Sequence, residues 1–317
     1  MGVIGGAKWR PLELAVVAAA ALGALVALAL LTRVPAHASF PGGNGRIAFV
    51  RDGSGPSTDL EEIRTMRADG SHVRRLTHNQ AKDDDPAYSA NGNRIAFESD
   101  RSGPRAIWKM DADGGRQRRL TSNSVLSFDQ PAFSPSGRRI AFRDQGGSGA
   151  RIDVIRSGGS HLRALTARST TDFDPNYSPN GKRIVFDSQR DGEAEIFVMR
   201  RDGSREHRLT ENSAADFSPD YSPNGKRIIF DSNRNGVSQI FIMRSDGTHE
   251  RQLTHSPVAV FNPAYSPNGK RIVFETTAGG GGDSEIAVMR SDGTHSRRIT
   301  NNSVDDHAPS WQPKPRR

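Results

Sequence analysis

Acidic residues recur just ahead of a proline along this chain. Asp84 and Asp85 precede Pro86, Asp129 precedes Pro131, Asp174 precedes Pro175, and Asp216 precedes Pro219. Asp306 and His307 precede Pro309. Carboxylates gathered on one axis can attract a divalent cation or a cationic segment, and a histidine among them can move a proton. Other chemistry is poorly supported. There is no cysteine, which excludes a thiolate nucleophile, a Cys zinc site, a disulfide framework and an acylated-Cys anchor. The sequence lacks Gly-x-Ser-x-Gly, His-Glu-x-x-His and a phosphate loop. The Gly279–Gly282 run has no following Lys-Ser/Thr and reads as an insertion in a hairpin.

The elements that position these residues repeat. Pro86, Pro131, Pro175, Pro219, Pro263 and Pro309 follow one another every 44–46 residues. Each opens a unit of the form Pro-x-Tyr/Phe-Ser-Pro-x-Gly-x-Arg-Ile-x-Phe, a polar loop, Ile-x-x-Met, Asp-Gly and Leu-Thr. In the unit at Pro219, an inner strand ends at the Asn224-Gly225 turn. Arg227 to Phe230 form the second strand and Ile240 to Met243 the third. Asp246-Gly247 makes a second tight turn, and Arg251 to Thr254 form the outermost strand. A four-strand unit at this period predicts a β-propeller, one blade per unit. Asn44 to Phe49 match the unit only from its second strand onward, and Ala308 to Pro313 match only its first. Together they complete a sixth blade. The expected fold is therefore all-β: a six-bladed propeller of four-stranded antiparallel blades, closed by a split blade, over residues 39–317. Apolar content is only 34%, which suits thin layers between blades. Met66, Met110, Met199, Met243 and Met289 share one repeat position and are expected to fill those layers.

In such a ring the links from one blade to the next surround one mouth of the central channel. The links 78–85, 122–130, 167–174, 211–218, 255–262 and 301–308 hold the acids named above. They also hold Asp83, Asp172, Glu211 and Asp305, against Lys82 and Arg168. The chain as a whole carries a formal net charge of +8. Its cations gather elsewhere, as in Lys182, Arg183, Lys226, Arg227, Lys270 and Arg271. The expectation is a polarised disc with an acidic channel mouth. Its candidate binding residues are Asp84, Asp85, Asp129, Asp174, Asp216, Asp306 and His307. Two ordinary roles compete: Asp caps tight turns, and charged outer strands prevent edge pairing.

Asp187-x-Gln189-x-Asp191-Gly192 and Asp231-x-Asn233-x-Asn235-Gly236 look like the start of a calcium loop, but the twelfth positions are Val198 and Ile242. A hairpin loop with an internal Asp–Arg pair is the simpler expectation. His72, His161, His249 and His295 follow the second tight turn of separate blades, too far apart to share a metal. His307 is the histidine expected at the mouth.

Residues 1–38 read as a signal peptide or membrane anchor. Lys8 and Arg10 precede an uncharged stretch from Leu14 to Leu31, and Ala36-His37-Ala38 offers a cleavage site before Ser39. Either outcome places residues 39–317 outside the cytoplasm, in the periplasm, envelope or medium.

The unit Pro-x-Tyr-Ser-Pro-Asn-Gly-Lys-Arg-Ile-x-Phe-x-Ser-x-Arg-x-Gly, as in Pro175 to Gly192 and Pro219 to Gly236, resembles the repeat of TolB-family propellers. The resemblance covers about residues 42–313. It implies a six-bladed propeller in the cell envelope that docks a protein, as TolB proteins dock a peptidoglycan-associated lipoprotein. Family members carry an N-terminal α/β domain, whereas here the leader is expected to run almost directly into the first blade. The resulting expectation is an exported, non-catalytic, monomeric scaffold without a cofactor. It would bind a protein or envelope component at the acidic mouth, where a divalent cation could also sit. Membrane contact would come only through an uncleaved N-terminal segment. The alternative is a carbohydrate-active or hydrolytic enzyme using the mouth carboxylates and His307. Metal-dependent lyases of pectate fragments share such blades but need several clustered histidines. Nucleic-acid binding, suggested by a pI near 10.2, conflicts with export and with the lack of aromatics among the arginines.

Overall fold

The computed structural model describes residues 39–53, 60–122, 126–147, 149–277 and 283–314. The leader expected at 1–38 lies outside them. Among the described residues, twenty-four strands form six four-stranded antiparallel sheets. Blade 1 is the split one. Its inner strand, Asp306–Lys314, pairs with Gly43–Asp52, which is followed by Glu61–Met66 and Arg74–Arg75. Blades 2 to 6 follow in chain order with inner strands Asp83–Tyr88, Ser127–Phe133, Asp172–Tyr177, Asp216–Tyr221 and Val260–Tyr265. Each inner strand touches the next, and the last touches the first, so the ring is closed. No terminal sheet edge is left at the joint.

The second strand of each blade is buried on both faces, which is why it is β-branched and aromatic. In blade 5, Ile228 and Phe230 pack toward blade 4, while Ile229 between them packs toward blade 6. Six apolar clusters result, one at each blade boundary. The five repeat methionines and Ile155 lie in them, as expected of gap-filling residues. Trp311 is buried where blade 1 meets blade 6.

The outermost strands are shorter than expected. Blade 5 keeps only Arg251–Gln252. Beyond it, Leu253 enters the core, and the Thr254 hydroxyl accepts the Ile240 N–H at 2.9 Å. The same bond recurs in every blade, from Thr77, Thr121, Thr166, Thr210 and Thr300. This gives the Leu-Thr signature its meaning: Leu fills the layer, and Thr continues the ladder by side chain. The Asp-Gly turns press against the neighbouring blade. At Gly293 (φ +92°) a Cβ would sit 2.4 Å from the Leu253 carbonyl oxygen. Only glycine fits there.

Candidate functional site

We call the face carrying the blade-to-blade links and the loops between second and third strands the upper face. There, every inner strand is interrupted at its proline. The pairing register slips, and the residue before the proline turns left-handed: Asp85, Gln130, Asp174, Ser218, Asn262 and Ala308, with φ from 47° to 54°. Holding a non-glycine residue there costs on the order of 1–3 kcal/mol, and such bulges re-aim side chains. The slip frees backbone N–H groups, and side chains of the preceding blade take them up. Gln130 accepts the Asp174 N–H at 3.2 Å, Asp231 the Asn262 N–H at 3.1 Å, and Glu275 the Ala308 N–H at 2.8 Å. Ser218 also donates to Asn262 at 2.8 Å. A belt of polar contacts thus links blade to blade at the upper end of the inner strands.

The belt is crowded with acids. Asp85 is held well above the usual carboxylate range by burial, then by Asp84, Glu98, Asp129 and Asp174. Glu98 is raised by burial despite its ion pair with Arg105, and Asp174 by burial and then by Asp187 beside it. Burial pushes Asp187 and Asp231 up to about 7 each. Each shift favours the protonated form, since so many like charges ionise together only at high cost in a desolvated space. His307 lies between two acids: Nε2 is 3.0 Å from Asp52 and Nδ1 3.5 Å from Asp84. Asp129 forms a two-pronged ion pair with Arg143, whose guanidinium also lies over the Phe173 ring of the next blade.

A second set of acids sits one residue earlier, on the other side of the strand. Asp83, Asp172, Asp216 and Asp306 have no exposed surface. Each meets an arginine: Arg101, Arg190, Arg234 and Arg51 respectively. In blade 5, Arg234 reaches both Asp216 oxygens at 2.9 Å and lies over the rings of Phe230 and Phe241. Its third arm bonds Glu250, just before the outermost strand. One side chain thus spans the blade from innermost to outermost strand. In blade 1, the Arg51–Asp306 pair joins the two ends of the chain.

The expected acidic mouth is therefore corrected in position. Asp84, Asp85, Asp129, Asp174, Asp216, Asp306 and His307 are not link residues but lie within inner strands, and all are buried. The structure brings Asp84, Asp85, Asp129, Asp174 and His307 into the belt. It places Asp216 and Asp306 in the arginine-bridged set instead. Residue counting along the links missed the arginines, because Arg101, Arg190 and Arg234 arrive from the facing loops. The loop reading also changes in detail: Arg234 and Arg190 pair with Asp216 and Asp172, not with Asp231 and Asp187 inside their own loops. His72, His161, His249 and His295 are exposed on separate blades. Among the described residues, no three His, Asp or Glu side chains converge in a way that could hold a metal ion. The sequence reading passed over Glu98, Asp187, Asp231 and Glu275 as belt members. Their signal was the residue after Ile-x-Phe, an acid in four of six units.

The repeats, the six sheets and the closed ring have a counterpart among known families. The TolB beta propeller domain model matches residues 24–172 and 130–317. The chain belongs to the TolB β-propeller family. TolB from Acinetobacter baumannii superposes with a TM-score of 0.74 at 24% identity, covering 85% of this chain and 67% of that one. A putative TolB from Agrobacterium tumefaciens gives 0.68 at 22%, covering 84% and 92%. At these identities the likeness speaks for the fold. An oligogalacturonate lyase in complex with manganese is more distant, with a TM-score of 0.53 at 11% identity over 82% and 74%. An uncharacterized protein of Agrobacterium fabrum is 40% identical over 53 residues. That match spans 17% of this chain and 18% of the relative. The described residues thus form a closed six-bladed ring of the TolB type.

Proposed function

We propose that this TolB-like propeller is an exported, non-catalytic scaffold that docks a protein or cell-envelope component on its upper face. One observation carries the reading. The lower turns are near copies of one another, Ser-Pro-Asn-Gly at 178–181, 222–225 and 266–269. The upper loops differ from blade to blade: Asp-Arg-Ser-Gly-Pro at 100–104, Gln-Arg-Asp-Gly-Glu at 189–193 and Asn-Arg-Asn-Gly-Val at 233–237. A face that recognises one asymmetric partner needs varied loops on a constant frame. The arginine bridges supply that frame directly beneath the loops. The family of envelope propellers and the leader-like pattern of residues 1–38 support export.

The enzymatic alternative has less support. Both ring nitrogens of His307 already face carboxylates, and a general base needs one nitrogen facing its substrate. The test is capture from envelope extract on the intact processed protein, comparing two variants. Substituting exposed upper-loop residues (Gln80, Glu211 and Val237 to Ala) should abolish capture of a given partner. Substituting lower-turn residues (Lys182, Lys226 and Lys270 to Ala) should leave it unchanged. The reverse pattern would move the docking face to the lower side. Turnover of an oligosaccharide by the purified protein would make it an enzyme.

A further inference from the structure

Ser39 lies inside the ring rather than on its surface. Ser39 and Phe40 are both buried. The Ser39 hydroxyl lies 2.6 Å from Asp220 Oδ2 and 2.8 Å from the Tyr265 carbonyl oxygen, at the lower ends of blades 5 and 6. Phe40 joins the apolar cluster of blades 2 and 3, on the opposite side of the axis. The Gly42 N–H returns to the Pro267 carbonyl of blade 6 at 3.0 Å. Residues 39–42 therefore cross the lower mouth of the channel, and Phe40 fills it.

Asp220 lies at the lower end of its strand, apart from the belt and from the arginine bridges. Asp83, Asp129, Asp172, Asp216 and Asp306 each have an arginine, but among the described residues no cation reaches Asp220. Its Oδ2 accepts the Tyr265 N–H at 2.8 Å, and the Ser39 backbone N–H also faces this carboxyl. Its Oδ1 is buried without a hydrogen-bond partner of good geometry among the described residues. The Ser39 hydroxyl has one proton to share between the Asp220 carboxyl and the Tyr265 carbonyl. Burial pushes Asp220 up to about 7. What is missing is one positive charge at the Ser39 nitrogen. Ser39 is also the residue that follows the Ala36-His37-Ala38 cleavage pattern.

We propose that the chain is cut between Ala38 and Ser39, and that Asp220 is the receptor for the α-ammonium this releases, locking Phe40 as the plug of the lower channel mouth. A membrane-associated processing peptidase adds water across the Ala38–Ser39 amide. The carboxylate leaves on Ala38, and the amine on Ser39 takes up a proton. An uncut chain presents only a neutral amide N–H there. The cut chain presents a cation against a carboxylate already oriented by the Tyr265 N–H, so the pair forms with little reorganisation.

The experiment uses the full chain, exported and processed by its host, beside the same chain with Gly-Gln inserted between Ala38 and Ser39. The inserted residues move the new amine away from Asp220. Terminal sequencing should give Ser39 as the first residue of the unmodified chain. Its α-amine should react with an amine-acylating reagent at neutral pH at least about tenfold more slowly than that of the extended chain, equivalent to one unit of raised amine pKa. The unmodified chain should also melt at a higher temperature near pH 7. The amine's folded pKa lies above its unfolded value of about 7.7–8.0, so this advantage is complete below that value and disappears as pH rises through the folded pKa. Asp220→Asn should erase the difference between the two chains. Equal labelling rates overturn the proposal, as does a first residue other than Ser39 or a melting difference that survives in Asp220→Asn. The labelling arm needs no substitution, so it decides even if Asp220→Asn fails to fold.

Discussion

Blades 3 and 5 carry the same two residue types in opposite order. Blade 5 has Asp216-Phe217 ahead of its proline, and blade 3 has Phe128-Asp129. Side chains alternate along a strand, so the swap moves the charge to the other side of the sheet. In blade 5 the acid meets Arg234, whose guanidinium covers Phe230. In blade 3, Phe128 lies edge-on to the equivalent Phe142, with ring centroids 5.5 Å apart at 90°. The acid, Asp129, instead joins the axial belt with Arg143 from its own second strand. Blade 6 fills the same space with Val260. The space over the second-strand aromatic must be filled, and an ion pair or an apolar side chain serves. A buried ion pair is often no better than a well-packed apolar substitute, yet half of one is far worse than either.

Blade 6 gives the sharpest way to break that comparison. Val260→Asp would bury an acid where, among the described residues, no arginine answers it, and should cost about 3–5 kcal/mol in urea unfolding. A loss under about 1 kcal/mol would mean water reaches the position. Blade 5 comes next. Asp216→Ala leaves Arg234 without its main partner and should cost about 3 kcal/mol, reduced from the fully buried case because Arg234 keeps some exposure. Combining Asp216→Val with Arg234→Ala copies blade 6 and should recover most of that loss, to within about 1–2 kcal/mol of the parent. If the double variant is no better than the single ones, the bridge itself stabilises the blade.

A pH titration of stability sharpens the contrast between the belt and the bridges. Asp231 in the belt has a folded pKa of about 7, above its unfolded value. The folded state therefore holds its proton longer than the unfolded state does. Its contribution is greatest below the unfolded pKa near 3.9 and is lost as pH rises toward 7. Asp231→Asn should flatten the stability profile over that window. A profile unchanged by the substitution would show that the belt is hydrated. The smallest effect should come from Glu250→Ala, which removes only the half-exposed arm of the Arg234 bridge and should change stability by less than about 1 kcal/mol.

Much of this architecture was legible in the residues. The 44–46-residue period, the Asn-Gly and Asp-Gly turns and the two half-units at the ends all report local chemistry, and local chemistry repeats with the blade. The candidate site was legible only in part. Acids counted along the links looked like one set because Asp129 and Asp216 lie at nearly the same distance from their prolines. A single residue of offset separates them on a strand, and the bulge before each proline decides what faces the axis. Arg234 lies 18 residues from Asp216, and Ser39 lies 181 from Asp220. Neither spacing marks the pair as partners.

The sequence by itself determined the blade, the number of blades and the closure of the ring, because strand periodicity and turn types are written within a few neighbouring residues. Only the tertiary structure decided which carboxylates are neutralised by arginine, which crowd together at the axis and which one lies at the lower mouth. Those outcomes depend on burial and on groups brought together from distant turns of the ring, and charge pairing in a desolvated space depends on distance and not on order along the chain.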